Sequence, residues 1–286
     1  MKNGITFLTG IGRSGTSIFY KVLSHHPEVY WLSPFADRYL DKPQRNDWLI
    51  NNIDTWLPSW FRKRFVPVEC YRFFNQSFRG FGRPFRDLVA EDVSDRTKKL
   101  MRASFERFDV SKTPHLTTKI TGWPRIGFLN EVFPEAKFVH INRDGKAIVN
   151  SYLNVHFWLG WQGPEKWRWG VLSDEHQELW EKHNKSFVAL AAIQYMIYSD
   201  AFEAAKSKME SGKVLEIRYE DFVKDPKAQL KMAIDFMGLT WSPTFEKALA
   251  RFKITDANVK WKRDLSDLQQ KELSQIIDPY QEQYGG

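Results

Sequence analysis

Apolar residues in this chain gather in short runs separated by long intervals. The runs Ile5–Thr9, Val29–Leu32, Leu116–Ile120, Lys137–Ile141 and Val214–Ile217 are short and lack the polar alternation of a strand with one wet face. They predict strands buried on both sides, the pattern of a parallel sheet covered by helices. Helix-favouring stretches fill several intervals: Thr16–Ser24 after the first run, Pro124–Phe133 before the fourth, Lys146–Val155 after it, and Glu178–Glu210 as one long helix. The alternation predicts an α/β fold with a mainly parallel central sheet between helical layers.

Two stretches interrupt it. Residues 35 to about 112 are rich in Arg, Phe and Trp and mostly helical in pattern. Residues of about 156–175 contain F-W-L-G-W-Q-G-P-E-K-W-R-W-G, Phe157–Gly170, with Trp158, Trp161, Trp167 and Trp169 set among glycines and a proline. Such punctuation predicts a loop. Both stretches are expected to be insertions in one domain covering residues 1–286, because the chemistry-bearing motifs run from residue 10 past residue 219.

Composition narrows the chemistry only a little. With 286 residues, 42% of them hydrophobic, the chain can bury a large core. Forty-two Lys and Arg against 35 Asp and Glu leave a net charge of +7, which favours anionic partners without naming one. Cys70 is the single cysteine, so an intrachain disulfide and a thiolate zinc cluster are excluded. No apolar run approaches the roughly 18 residues of a membrane span. A strand beginning at residue 5 leaves no space for a leader, and a cytoplasmic location is expected.

The turn after the first strand is G-I-G-R-S-G-T-S, Gly10–Ser17. It nearly spells the phosphate loop G-x-x-x-x-G-K-[ST], with Thr16 where the lysine would stand. A strand entering a helix through such a turn aims backbone N–H groups and the positive helix end at one spot, which suits an anion. Thr16 and Ser17 keep hydroxyls and Arg13 supplies a cation, so the loop suits one terminal group better than a magnesium-clamped triphosphate. A second element, F-V-H-I-N-R-D-G-K-A-I-V-N-S, Phe138–Ser151, ends a strand in Arg143 and Asp144 and enters a helix. Asp144 is a candidate N-cap, and Ser151 follows about two turns on along the same face, roughly 11 Å of rise. Arg143 and Ser151 can hold a further phosphate between them.

The pair R-S-G-T-S and R-D-G-K-A-I-V-N-S resembles the two phosphate-binding motifs of sulfotransferases that use 3'-phosphoadenosine 5'-phosphosulfate (PAPS). V-L-E-I-R-Y-E-D-F-V-K-D-P, from Val214, and T-K-I-T-G-W-P-R, from Thr118, resemble two further stretches of that family. The resemblance implies a P-loop-like three-layer fold and PAPS as donor. It implies that Gly12, Arg13, Ser14, Gly15, Thr16 and Ser17 bind the 5'-phosphosulfate, that Arg143 and Ser151 bind the 3'-phosphate, and that Tyr219 lies against the adenine. Lys119 corresponds to the active-site lysine and, with Arg13, would stabilise charge in the in-line displacement. This scheme requires no metal, and no His, Asp and Glu cluster has metal-ligand spacing.

The resemblance departs at the general base. Thr121 stands where cytosolic members carry histidine, and Ser33-Pro34 where members acting on protein tyrosine or glycans often carry glutamate. Asp37 is the nearest carboxylate and the nominated base, with His115 as alternative. The family's R-K-G-x-x-G motif is absent; Lys260, Lys262 or Arg263 in the segment Ile254–Leu265 are candidates to reach the 3'-phosphate. The expected acceptor is a hydroxyl of a glycan or small metabolite, in a cleft lined by Trp161, Trp167 and Trp169, and nucleic acid is not expected as a partner. Two other readings stay open: a kinase with a deviant loop, using Asp144 for magnesium, and a non-enzymatic module binding polyanions.

Overall fold

The structure, a computed structural model, describes residues 4–53, 60, 64–166 and 170–283; Trp167 and Trp169 lie outside the described residues. Each of the five apolar runs forms a strand: β1 Ile5–Gly10, β2 Val29–Trp31, β3 His115–Thr121, β4 Lys137–Asn142 and β5 Val214–Arg218. They build one sheet in the order β2-β3-β1-β4-β5, parallel throughout. All six residues of β1 are buried, since helices cover both faces and strands lie on both edges. The connection leaving β1 leads to one flank of the sheet and that leaving β3 to the other, so a crevice opens at the carboxyl ends on either side of β1, where ligands bind in open α/β sheets.

Two hydrophobic clusters hold the layers. One contains Phe7, Phe133 and Phe138 of the sheet side and also Phe73, Phe74, Phe81 and Phe105 from the 35–112 stretch. Phe7 and Phe138 stack with centroids 5.7 Å apart, and Phe74 and Phe81 stack at 4.4 Å. The inserted segment is thus welded to the sheet through its phenylalanines, each worth roughly 1.5–3 kcal/mol when fully buried. The second cluster gathers Ile148, Val149, Ile193, Leu273 and Ile277 with Trp158.

The stretch expected as one helix, Glu178–Glu210, is two: Asp174–Lys182 and Phe187–Lys206. Asn184 and Lys185 take φ of 52° and 55°, left-handed values that end a helix, and Ser186 then caps the next one by accepting from the N–H of Ala189. Asparagine tolerates that conformation and serine is a strong N-cap. The break turns the run Val188–Tyr195 into the sandwiched layer, where every residue is buried.

His115 begins β3, at the sheet edge opposite the crevice, and its Nε2 is hydrogen-bonded with Thr6 Oγ1 at 2.8 Å. It cannot serve as a base there; its role is in the core. Burial lowers its pKa to about 4, and burial lowers that of His140, stacked on Phe202 with centroids 3.5 Å apart, to about 3. Unfolded histidines titrate near 6.5, so the stability these neutral rings allow is complete above that pH and is lost as pH falls toward about 4. Asp87, pushed up to about 6 by burial, works in the opposite sense over part of the range, as do Asp47 and Asp144, raised by burial, while His26 and His176, lowered by burial, act with His115 and His140. The melting temperature is expected to drop on acidification below about pH 6.5, and His115→Gln to flatten that drop. An identical profile in the variant would remove His115 as its source.

Candidate functional site

The turns that carry most of the expected site residues follow the carboxyl ends of β1, β4 and β5. β1 stops at Gly10 and the chain turns through Arg13, with φ 77°, and Gly15, with φ 94°, into the helix Thr16–Leu23. No side chain caps that helix, so its first-turn N–H groups, which have no partner within the helix, face the crevice with the positive dipole end. Ser14 is fully buried and its Oγ has no hydrogen-bond partner. A buried orphan hydroxyl beside uncapped N–H groups fits an anionic oxygen. Glycine is required at position 15: besides the positive φ, a Cβ there would lie 2.3 Å from Cδ2 of Tyr219.

Arg143, just beyond β4, is buried and locks onto that loop. Its Nη1 donates to the carbonyl of Arg13 at 2.8 Å and its Nε to Asn258 Oδ1 at 2.7 Å. The guanidinium lies 4.4 Å from the centroid of Tyr219. Burial lowers the pKa of Arg143, against which Tyr219, Glu220 and Asp144 pull it back up. Asp144 caps the following helix, Gly145–Leu153, by accepting from the N–H of Ala147 at 2.8 Å. On that helix Ser151 accepts from Arg13 Nε at 2.8 Å. The loop arginine therefore reaches across to the second anion element, so Arg13, Arg143 and Ser151 form one cluster.

Lys119, in β3, is only 3% exposed. Its Nζ donates to Ser17 Oγ at 2.8 Å and sits 2.9 Å from Glu69 Oε1. The lysine is held at the side of the loop facing β3, and Arg13 and Arg143 at the side facing β4, so the crevice carries cations on both flanks of one anion cradle. Glu69 belongs to no motif and lies 50 positions before its partner; nothing in the sequence distinguishes it from other carboxylates of the insertion. What places it is packing. Cys70 adopts φ 54° and its Sγ lies 3.4 Å from the Ser33 carbonyl. Tyr71 Oη donates to the Thr121 carbonyl at 2.9 Å and accepts from the Thr121 N–H at 3.0 Å. Burial pushes the Cys70 thiol well above its usual range, which keeps it neutral.

Asp37 lies in the helix Pro34–Arg38. Its Oδ1 accepts from the backbone N–H of Arg72 at 2.8 Å and of Phe73 at 3.3 Å, so it caps the helix Tyr71–Asn75. Of the closing segment, Asn258 rather than a lysine contacts Arg143, while Arg263 pairs with Asp264 at 2.8 Å and Lys262 lies 5.6 Å from the Trp261 ring centroid. In the aromatic loop Trp158 is buried, its Nε1 donating to Gln194 Oε1 at 2.8 Å, whereas Trp161 is 59% exposed. Phe157 stands 6.0 Å from the Arg13 guanidinium, which puts this loop over the phosphate-loop arginine. Among the described residues no helix is long and apolar enough to cross a membrane.

A sequence profile described as the sulfotransferase family matches residues 6–243. Among curated relatives, protein-tyrosine sulfotransferase A of Caenorhabditis elegans is 24% identical, over 82% of this chain and 50% of its own length. The omega-hydroxy-beta-dihydromenaquinone-9 sulfotransferase Stf3 of Mycobacterium bovis is 26% identical, over 96% of this chain and 74% of its own length. The chain thus spans half the length of the first of these relatives and about three quarters of the second. Among solved structures, the sulfotransferase STF1 of Mycobacterium tuberculosis superimposes with a TM-score of 0.56 at 15% identity, covering 96% of this chain and 77% of that one. The likeness at that identity is one of fold, and it agrees with the P-loop-like α/β architecture described above.

Proposed function

The chain belongs to the sulfotransferase family, and on that premise we propose that it moves a sulfuryl group from PAPS to a hydroxyl of a glycan or small metabolite by in-line displacement. The observation that carries this reading is the joining of two anion elements through one residue: Arg13 Nε on Ser151 Oγ and Arg143 Nη1 on the Arg13 carbonyl, each at 2.8 Å. A donor with phosphate groups at both its 5' and 3' positions needs two such elements within the span of one nucleoside. In this reading the N–H groups of Ser14 to Ser17 and the orphan Ser14 hydroxyl hold the 5'-phosphosulfate, with Gly12 and Gly15 allowing the backbone to approach. Arg143, Ser151 and Arg13 hold the 3'-phosphate, and the Tyr219 ring, already carrying Arg143 on its face, sits beside the adenosine. Lys119 stands where charge grows on the bridging oxygen as the sulfur–oxygen bond breaks.

The names of the relatives bear on the acceptor: one acts on protein tyrosine and one on a hydroxylated menaquinone, which are hydroxyl acceptors of different size. For this chain Phe157, exposed and 6.0 Å from the Arg13 guanidinium, and the exposed Trp161 of the same loop favour an acceptor with a flat or apolar face. Calorimetric titration with adenosine 3',5'-bisphosphate, beside ATP with and without magnesium, tests the donor. Metal-independent binding of the bisphosphate in preference to ATP is the expected result. Preference for magnesium-ATP would replace this reading with a kinase.

A further inference from the structure

Lys119 is nearly inaccessible, yet its ion-pair partner Glu69 keeps 31% of its side chain exposed. A buried lysine is usually neutralised by a buried group; here the neutralising carboxylate instead leads outward from the crevice. The chain Ser17 Oγ, Lys119 Nζ and Glu69 Oε1, with links of 2.8 and 2.9 Å, starts in the first turn of the phosphate-loop helix and ends in an open carboxylate. An acceptor hydroxyl attacking a group held by that loop comes from solvent, and the carboxylate is the end of this chain of contacts that reaches solvent.

Asp37 does not share this position, because its Oδ1 is occupied by the Arg72 and Phe73 N–H groups. Those two donors begin the helix that follows Glu69, so Asp37 holds the segment that carries the glutamate. The left-handed backbone at Cys70 and the two-way hydrogen bond between Tyr71 and Thr121 fix the same segment from its other side. With the Cys70 thiol on the Ser33 carbonyl, three contacts hold residues 70–73, more than a neutralising partner for a lysine requires. They are what a precisely aimed side chain requires.

We propose that Glu69 is the general base of the sulfuryl transfer and that Asp37 is a positioning residue for it; this rests on the sulfotransferase reading above. The acceptor oxygen forms a bond to sulfur while the bond from sulfur to the bridging oxygen of the 5'-phosphate breaks, its electron pair leaving on the phosphate. The acceptor proton passes to the Glu69 carboxylate, giving the neutral acid, and Lys119 moves its charge toward the leaving oxygen. Lys119 thereby serves both ends of the displacement, pairing with the base before transfer and with the leaving group during it.

The test follows release of radiolabelled sulfate from PAPS to water, which occupies the place of the acceptor hydroxyl and requires no knowledge of the acceptor. Glu69→Gln is expected to slow release by about 10²-fold or more with affinity for adenosine 3',5'-bisphosphate unchanged. Asp37→Asn keeps an oxygen for the two N–H groups and is expected to lose much less activity than Glu69→Gln and to keep the wild-type pH–rate profile, as a base could not. Glu69→Ala should recover activity with added formate and not with equal chloride, since chloride can pair with Lys119 but takes no proton. Wild-type rates in Glu69→Gln, or a loss in Asp37→Asn as deep as that in Glu69→Gln, would overturn the assignment. Equal rescue by chloride would reduce Glu69 to a partner of the lysine and overturn it also. If the unmodified protein neither binds the bisphosphate nor releases sulfate, the donor reading itself fails, a result separable from failure of the base alone.

Discussion

Lys119→Ala is expected to lower turnover by about 10³-fold, the scale on which a single group aimed at developing charge acts, while bisphosphate affinity changes little. The reason lies in where the lysine sits. Its Nζ is 2.8 Å from Ser17 Oγ, on the flank of the loop away from the Arg13, Arg143 and Ser151 cluster, so it contributes little to holding a 3'-phosphate. The interaction of Lys119 grows as charge builds on the bridging oxygen, whereas the bisphosphate is held besides by the loop N–H groups and the Arg13, Arg143 and Ser151 cluster. Turnover and product affinity should therefore separate. Lys119→Arg is a sharper probe than it looks: arginine keeps the charge but puts a planar fork in place of the compact ammonium held between Ser17 and Glu69. Substantial loss in both variants, measured by single-turnover sulfate release beside calorimetry, fits the assigned role. Wild-type turnover in Lys119→Ala would end it.

Arg143→Ala is expected to weaken bisphosphate binding by about 10²-fold, corresponding to roughly 3 kcal/mol, and to affect adenosine 5'-monophosphate far less. The side chain has two functions that this comparison divides. It is a cation for the 3'-phosphate, and it braces the phosphate loop through the Arg13 carbonyl and the closing segment through Asn258. Loss of the brace alone would weaken both nucleotides equally. Loss of the phosphate contact falls on the 3'-phosphorylated one. Calorimetry of both ligands on one variant decides between them, and equal weakening would assign Arg143 to the scaffold.

The sheet, the turn after β1 and the helix start after β4 were legible in the sequence because their causes are local. Five apolar runs need burial on both faces, and the loop Gly10–Ser17 and the cap at Asp144 are set by residues within a few positions of each other. The helix break at Asn184 and Lys185 was less legible, since helical propensity over Glu178–Glu210 is high and the left-handed pair is a two-residue event. Asp37 and Glu69 mark where reading stopped. A carboxylate's proximity in sequence to the expected site favoured Asp37, whose Oδ1 accepts from two N–H groups of the helix 71–75, whereas the carboxylate that meets Lys119 comes from a segment with no motif. Arg13 is a similar case: its place in the loop was evident, but the direction of its guanidinium, toward Ser151, depends on where β4 and its helix put that serine.

By itself, then, the sequence determined the parallel α/β framework, the glycine-bearing turn after β1 and the helix start at Asp144, because periodicity, turn geometry and helix starts act over short stretches of chain. Tertiary structure alone decided which carboxylate meets Lys119, which face Arg13 turns to and how Arg143 braces the loop. These are contacts between residues 50 to 138 positions apart, and they exist only once phenylalanines of the insertion have docked on the sheet and brought the segments to hydrogen-bonding distance.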